Sequence, residues 1–130
     1  MRDFRKLDVG VRAHGLTLDV FRVTESFPSH ERFGLAAQMR RSVVSIPSNI
    51  AEGAGRDSRR EYARSLDIAI ASAHELDYQL QLSRDLRFTD PSRYDNLANE
   101  LVEVRSMIAG LRATVLSGGG SGSRLLTQDS

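Results

Sequence analysis

Residues 34–56 of the chain read GLAAQMRRSVVSIPSNIAEGAGR, the pattern of an amphipathic helix. Apolar residues recur at helical spacing on one face, namely Leu35, Met39, Val43, Ile46 and Ile50. The opposite face is polar and consists of Gln38, Arg41, Ser42, Ser45, Ser48, Asn49 and Glu52. Small hydrogen-bonding side chains dominate this second face, and lysine is absent from it. The stretch therefore predicts a helix with a polar surface shaped for contact.

A proline lies inside this pattern, at Pro47, and the apolar residues keep helical phase on both sides of it. Proline lacks an amide hydrogen and strains the carbonyl four residues earlier, here that of Val43. We therefore expect a continuous but kinked helix, in which Ser45, Ser48 and Asn49 satisfy the freed backbone groups.

Four helices are predicted in all, over about residues 6–26, 29–52, 58–86 and 90–116. Ser29 is the expected N-cap of the second helix, and Gly53 and Gly55 are expected to end it. Ser58 and Glu61 form a capping box at the start of the third, and Asp90 followed by Pro91 opens the fourth. Short connections between four helices predict an all-α, antiparallel up-down-up-down four-helix bundle over residues 1–116.

The first helix carries two adjacent apolar stripes, which is more than one inward face requires. One runs through Val9, Ala13, Leu16, Val20, Val23 and Phe27, and the other consists of Val11, His14, Leu18 and Phe21. The excess predicts a contact with another subunit. Residues 117–130 begin SGGGSGS and are predicted to form a flexible Gly/Ser-rich tail.

The amino-acid composition excludes several classes of protein. The 130 residues contain no cysteine, which excludes a disulfide framework and a thiolate metal site, and the formal net charge is +1. No apolar run is long enough to span a membrane, and the N-terminal residues do not resemble a secretory signal, so a soluble cytoplasmic protein is expected. The 17 arginines and one lysine are typical of a genome biased toward arginine codons.

Three stretches carry a specific sequence pattern: FPSHERFGL, QMRRSVVSIPSNIAEGAGRDS and EYARSLDIAIASAHELDYQLQL, at residues 27–35, 38–58 and 61–82. They resemble the four-helix-bundle family named after proteins encoded in the intervening sequences of bacterial 23S rRNA genes. The resemblance implies a left-handed antiparallel bundle that assembles as a ring of five around a central channel. It also implies a role that is generally unassigned, with nucleic-acid binding a recurrent suggestion. A distantly similar bundle is a strongly basic accessory factor of a reverse transcriptase, whereas this chain is nearly neutral.

The family motif contains a set of polar residues that we expect to form a buried hydrogen-bond network or a subunit interface. They are Gln38, Arg40, Arg41, Ser45, Asn49, Glu52, Glu61 and Glu75. Glu61 and Glu75 on the third helix are the expected acidic partners of Arg40 or Arg41.

No catalytic, cofactor or metal site is predicted. None of the three histidines follows a glutamate by three residues, the spacing that a dimetal bundle requires, and no serine has a histidine partner at helical spacing. The chain is therefore expected to be neither an enzyme nor a cofactor-binding protein.

A local basic cluster consists of Arg40, Arg41, Arg56, Arg59, Arg60 and Arg64. Two interpretations remain open: ion pairing within or between subunits, and contact with RNA or DNA, for which Arg56, Arg59, Arg60 and Arg64 are the candidates. The sequence thus predicts a cytoplasmic, non-enzymatic homo-oligomer, a homopentamer by resemblance, of unknown cellular role. The alternative is a nucleic-acid-binding protein that uses the arginine cluster on the ring.

Overall fold

The computed structural model describes residues 7–118, and over that range it is built from four α-helices with no strand. The helices are α1 (Asp8–Glu25), α2 (Leu35–Ala54), α3 (Arg59–Asp85) and α4 (Pro91–Leu116), with a short 3₁₀ turn at Ser29–Glu31. The all-helical prediction is confirmed. The tail predicted for residues 117–130 lies outside the described residues from position 119 onward.

The four helices surround one core, in which α1 packs on α2 and α4, and α3 packs on the same two neighbours. Each helix contributes its predicted apolar stripe. The largest fully buried side chains include Leu16 of α1, Met39 and Ile46 of α2, Tyr62 of α3 and Leu101 of α4. The helical spacing read from the sequence therefore identified the inward faces correctly.

The predicted start of the second helix is wrong by several residues. The N-cap is Gly34, whose φ of −104° and ψ of −114° are not helical, so the helix cannot extend back to Ser29. Instead the Glu31 carboxylate accepts a hydrogen bond of 3.0 Å from the Leu35 amide, which satisfies one of the free donors at the start of α2. The glutamate of the FPSHE segment is thus a helix-capping residue.

The predicted end of the second helix is also shifted. Gly53 lies inside α2 and is buried, and the helix ends at Ala54, followed by Gly55 as the C-cap with a φ of −90° rather than a left-handed conformation. A Cβ atom on Gly53 would lie 2.8 Å from Cδ1 of Tyr62 and 3.0 Å from Cβ of Ser65. Gly53 is therefore needed for the close approach of α2 to α3, not for ending the helix.

Pro47 lies within α2, which continues through it to Ala54, as expected. The carbonyl of Val43, which has lost its usual amide donor, lies 3.5 Å from Oγ1 of Thr17 in α1, but that hydroxyl donates its hydrogen to the Ala13 carbonyl at 2.8 Å. Asn49 instead donates to the Ser45 carbonyl at 2.8 Å. The local side chains predicted for this role therefore do not donate to the freed carbonyl in the described part of the chain.

The predicted N-caps Ser58 and Asp90 are confirmed, but the Glu61 carboxylate does not accept the return hydrogen bond from the Ser58 amide that the capping box predicted. The Ser58 hydroxyl accepts a hydrogen bond from the Glu61 amide at 3.0 Å, and the Asp90 carboxylate accepts one from the Arg93 amide at 2.9 Å. Pro91 occupies the first position of α4, where its missing amide hydrogen has no helical partner to lose.

At the other end of α3, Arg87 adopts a left-handed conformation with a φ of 66°. The Phe88 amide donates to the Ser83 carbonyl at 2.8 Å and the Arg87 amide to the Arg84 carbonyl at 2.9 Å. These two bonds form a Schellman motif, in which glycine is the usual residue at the left-handed position.

We predict that Arg87→Gly stabilises the protein, because glycine adopts this conformation without the steric cost that a Cβ atom imposes. The expected gain in the free energy of unfolding is about 0.5–1 kcal/mol, measured by urea denaturation. Arg93→Gly, which places glycine inside the first turn of α4, is the control and should destabilise by about the same amount. A lower urea midpoint for Arg87→Gly than for the parent chain would contradict the prediction.

Ion pairs connect α4 to its two neighbours. Arg12 of α1 donates from Nε to Glu100 at 3.0 Å and also contacts Glu103, and its hydrogen bonds to Glu100 and Glu103 raise the pKa of Arg12. Between α3 and α4, Asp67 pairs with Arg112 at 2.5 Å. These partly exposed pairs contribute little energy each.

Candidate polar groove and arginine cluster

The polar face of α2 meets polar residues of α3 in a groove of about 390 Å³. We call it the α2–α3 groove, and it is lined by Gln38, Arg41, Ser42 and Ser45 of α2 with Ser72, Glu75 and Gln79 of α3. Four of these seven, namely Gln38, Arg41, Ser45 and Glu75, were predicted from the sequence as members of the polar network. The structure brings Arg41 and Glu75 to the same groove, but neither forms an ion pair with any residue in the range 7–118.

A short hydrogen-bonded chain crosses the groove floor. Asn49 Nδ2 donates to Ser45 Oγ at 3.1 Å, and Ser45 Oγ lies 2.7 Å from Ser72 Oγ. This part of the predicted network is present within a single chain. It joins α2 to α3 near the proline-containing turn of α2.

The rest of the predicted network is not buried in the single chain. Gln38, Arg41, Glu52, Glu61 and Glu75 are all exposed. These residues can be buried only if another chain packs against them, so their burial stays a prediction.

Arg40 has different partners from those expected. Its Nε donates to Thr24 Oγ1 at 2.8 Å, and its Nη2 donates to the Phe21 carbonyl at 3.2 Å and lies 3.7 Å from the Glu25 carboxylate. The guanidinium carbon also lies 4.8 Å from the centre of the Phe21 ring. The expectation that Arg40 pairs with Glu61 or Glu75 is wrong, because its side chain lies against the C-terminal end of α1.

The six arginines of the predicted cluster separate into distinct sites. Arg40 lies in the N-terminal part of α2 and Arg56 just beyond its C-terminal end, which corresponds to roughly 24 Å along the helix axis. Arg56 pairs with Glu52 at 2.6 Å, one helical turn away, as the ion-pairing interpretation predicted. A single basic patch containing all six residues is therefore not formed.

Arg60 and Arg64 do lie together, in a groove between α3 and α4 that also contains Asp67 and Arg112. Both are exposed, and neither forms an ion pair with a described residue. Arg59 is also exposed and is the first residue of α3. Its Nη1 atom lies close to Gly118, 3.8 Å from the position that a Cβ atom on that glycine would occupy. We call Arg59, Arg60, Arg64 and Arg112 the α3–α4 arginine cluster.

Two groups of residues in these sites were missed by sequence reasoning. Ser72 and Gln79 are buried on the inward side of α3 together with Leu76. The sequence signal that could have identified them is the presence of polar residues at core positions of a helix. Arg112 comes from α4, 48 residues after Arg64, and no local pattern connects the two. In the described part of the chain, no three His, Asp or Glu side chains lie close enough together to hold a metal ion.

The sequence pattern that contains these polar residues matches a family model described as the 23S rRNA-intervening sequence protein, over residues 5–110. The chain belongs to this family. The matched range includes both walls of the α2–α3 groove and every residue of the α3–α4 arginine cluster except Arg112.

A solved structure shares the fold. It is a protein with unknown function from the S23 ribosomal protein family of Bacteroides thetaiotaomicron, similar at a TM-score of 0.75 and 22% sequence identity. The similarity covers 80% of this chain and 97% of that one. A comparison with functionally curated proteins finds no match. Family membership thus supports the four-helix fold without assigning a role.

The family motif has a structural meaning in this fold. Glu31 caps α2, Arg40 ties α2 to α1, and Gly53 permits close packing on α3. Ser45 and Asn49 connect α2 to α3. Gln38, Arg41 and Glu75 have no such role within the chain, since all three are exposed. None of the helices at residues 7–118 has the length and apolar character needed to cross a membrane.

Proposed function

We propose that this protein is a cytoplasmic, non-enzymatic module whose functional unit is a closed ring of its own copies, a homopentamer. Sequential helices that pack on one another and are joined by short connections, at residues 26–34, 55–58 and 86–90, support an antiparallel up-down-up-down bundle as the subunit. The left-handed sense of the bundle and the ring size come from the family resemblance.

The observation that carries the proposal is the second apolar stripe of α1. Val11 is 60% exposed, Leu18 40% and Phe21 36%, although the same helix already buries a complete inward stripe. Exposed apolar residues that line one face mark a contact surface, because covering them removes apolar area from water. A contact between this face and a different face of the next copy generates a ring when the rotation closes.

Light scattering of the full chain tests the ring. We expect a mass close to five times the 14.4 kDa of one chain at micromolar concentration. Val11→Glu together with Leu18→Glu should reduce the mass to that of a single chain without loss of helix content. The matched control is Val102→Glu on α4, where the valine is 50% exposed and lies outside the α1 stripe.

Two results would contradict this proposal. One is a parent chain that has the mass of a monomer. The other is an equal loss of mass in the α1 variant and in Val102→Glu, which would show that the α1 stripe has no special part in assembly.

A second candidate function is RNA or DNA binding by the α3–α4 arginine cluster. The supporting observation is the convergence of Arg60, Arg64 and Arg112, of which only Arg112 has a carboxylate partner among the described residues. Unpaired arginines that share one groove are suited to phosphate contacts, whereas the net charge of +1 gives no overall attraction.

We predict that, if this function holds, Arg60→Ala with Arg64→Ala weakens retention on immobilised RNA or DNA and lowers its salt dependence. Loss of two phosphate contacts reduces the slope of log affinity against log salt by about 2. Arg87→Ala with Arg93→Ala, in the connection after α3 and in the first turn of α4, is the control with the same change in charge. No salt-dependent retention of the parent chain would exclude this candidate.

A further inference from the structure

The outer face of α3 carries a row of residues that the other described helices leave uncovered. Its members are Ile68, Ala71, Glu75 and Tyr78, and all four are exposed, Ile68 to 49% and Tyr78 to 63%. They follow one another at intervals of three, four and three residues, so they form one stripe along the helix. We call this row the α3 outer stripe. Large apolar side chains left in water at both of its ends mark a contact surface.

The α3 outer stripe has the same spacing as the second apolar stripe of α1. The members of that stripe, Val11, His14, Leu18 and Phe21, are also separated by three, four and three residues. Each stripe therefore extends over about 15 Å, and two seams of equal length and spacing can pack side by side. Within the chain α1 and α3 do not pack on each other, so a second copy can bring the two stripes together.

We propose that the α1 stripe of one copy packs against the α3 outer stripe of the next copy, an inference that rests on the proposed function and names the second face of the ring contact. In an up-down-up-down subunit α1 and α3 point in the same direction, and rotation about a ring axis parallel to the helices keeps that direction. The two helices therefore meet in parallel. Val11 lies level with Ile68, and Phe21 lies level with Tyr78.

The charged residues beside the two stripes are complementary in this register. Counted from the paired ends of the stripes, Asp8 of one copy and Arg64 of the next lie within one residue of the same level. Toward the other end, Arg22 lies one helical turn from the level of Glu75. Arg64 and Glu75 are exposed and form no ion pair with a described residue, so the next copy supplies each with an opposite charge.

The position of the two stripes beside α2 favours a contact that closes. Phe21 lies against Arg40 of α2, and Glu75 lines the α2–α3 groove, so both stripes border α2. Two contact faces inclined toward the same helix enclose an angle of less than 180°, and repetition of such a contact curves the assembly around that helix, as a ring requires. α2 then lies on the inner side of the ring, with the exposed Arg41 and Glu52 directed toward its channel.

Two blocked variants test the pairing of the stripes by complementation. Ile68→Glu with Tyr78→Glu removes the α3 outer stripe, as Val11→Glu with Leu18→Glu removes the α1 stripe, and all four positions are exposed. Light scattering should give each variant alone the mass of one chain. An equimolar mixture, concentrated to the highest level at which each variant alone stays monomeric, should reach about twice 14.4 kDa. Each variant keeps the stripe that the other lacks, so they pair but cannot grow further.

Val102→Glu with Leu116→Glu is the matched control for the α3 variant. It makes the same change in charge at two exposed apolar positions of α4, outside both stripes. We expect it to keep the mass of the parent chain. Circular dichroism should show the helix content of the parent in every variant.

Disulfide trapping tests the register of the contact. The chain contains no cysteine, and α1 and α3 do not pack on each other within it, so Val11→Cys with Ile68→Cys can form a disulfide only between copies. Oxidation should produce a ladder of crosslinked chains on a non-reducing gel, because cysteines level on adjacent helices are close enough to bridge. Val11→Cys with Tyr78→Cys, which are level only if the helices meet antiparallel, should produce no ladder.

The outcomes distinguish this proposal from the ring itself. A parent chain with the mass of a monomer contradicts both. If the parent chain is assembled, a parent-like mass of the α3 variant, or a mixture that stays monomeric, overturns the pairing of the two stripes and leaves the ring intact. Absence of a ladder from Val11→Cys with Ile68→Cys overturns the parallel register.

Discussion

Gly53→Ala is expected to lower the free energy of unfolding by about 2–3 kcal/mol, the upper part of the range for adding a methyl group to a packed core. The new Cβ atom would stand 2.8 Å from Cδ1 of Tyr62, and Tyr62 is fully buried. Either the buried ring or the α2–α3 contact must therefore shift to admit the new methyl group. In a chain of this size the loss corresponds to a decrease in Tm of roughly 8–12 °C, measured by calorimetry.

Gly110→Ala is the matched control for that substitution. Gly110 lies inside α4 and is exposed, and a Cβ atom added to it would have no heavy atom within 4 Å other than those of its own helix. Alanine is the better helix former, so this variant should be stabilised by up to about 1 kcal/mol. Equal effects of the two substitutions would mean that helix propensity, and not the α2–α3 contact, governs Gly53.

Arg40→Ala and Arg41→Ala should differ sharply although the residues are adjacent. Arg40 donates to Thr24 and to the Phe21 carbonyl and lies over the Phe21 ring, so its removal should destabilise the chain by about 1–2 kcal/mol. Arg41 is exposed and has no ion-pair partner in the described range, so its removal should change the stability of a single chain by less than about 0.5 kcal/mol. Urea denaturation under conditions that keep the chain monomeric measures both.

Arg40→Lys serves as the control for charge. Lysine keeps the positive charge but lacks the planar fork that reaches two acceptors, so most of the loss should remain. A large effect of Arg41→Ala that appears only when the chain assembles would indicate that assembly buries Arg41, as the sequence-based network predicted. Unchanged stability and assembly with weaker nucleic-acid retention would favour the nucleic-acid function instead.

The four helices and their inward faces could be predicted from the sequence because each is specified locally. Tyr62, Leu66, Ala69, Ala73, Leu76 and Leu80 recur at helical spacing in α3, and every one of them is buried. The caps at Ser58 and Asp90 depend only on residues within one turn, and both are formed. Helical periodicity and capping are short-range properties, so they can be read without the fold.

The partners of polar residues could not be predicted in the same way. Arg40 contacts residues 16 and 19 positions earlier, and Arg64 shares a groove with Arg112, 48 positions later. Which of several carboxylates an arginine meets depends on how far each helix is rotated and shifted against its neighbour. That rotation is set by core packing over the whole bundle, which no local pattern contains.

Three features follow from the amino-acid sequence: the all-helical chain, the faces of the helices that turn inward, and the stretch of polar residues that carries the family motif. Three others required the folded chain: the start of α2 at Leu35, the packing role of Gly53, and the burial of Gln79 Oε1 without a donor among the described residues. One distinction explains all of them. Helical periodicity is a property of one segment, whereas a backbone clash or an unsatisfied oxygen exists only between segments brought together by the fold.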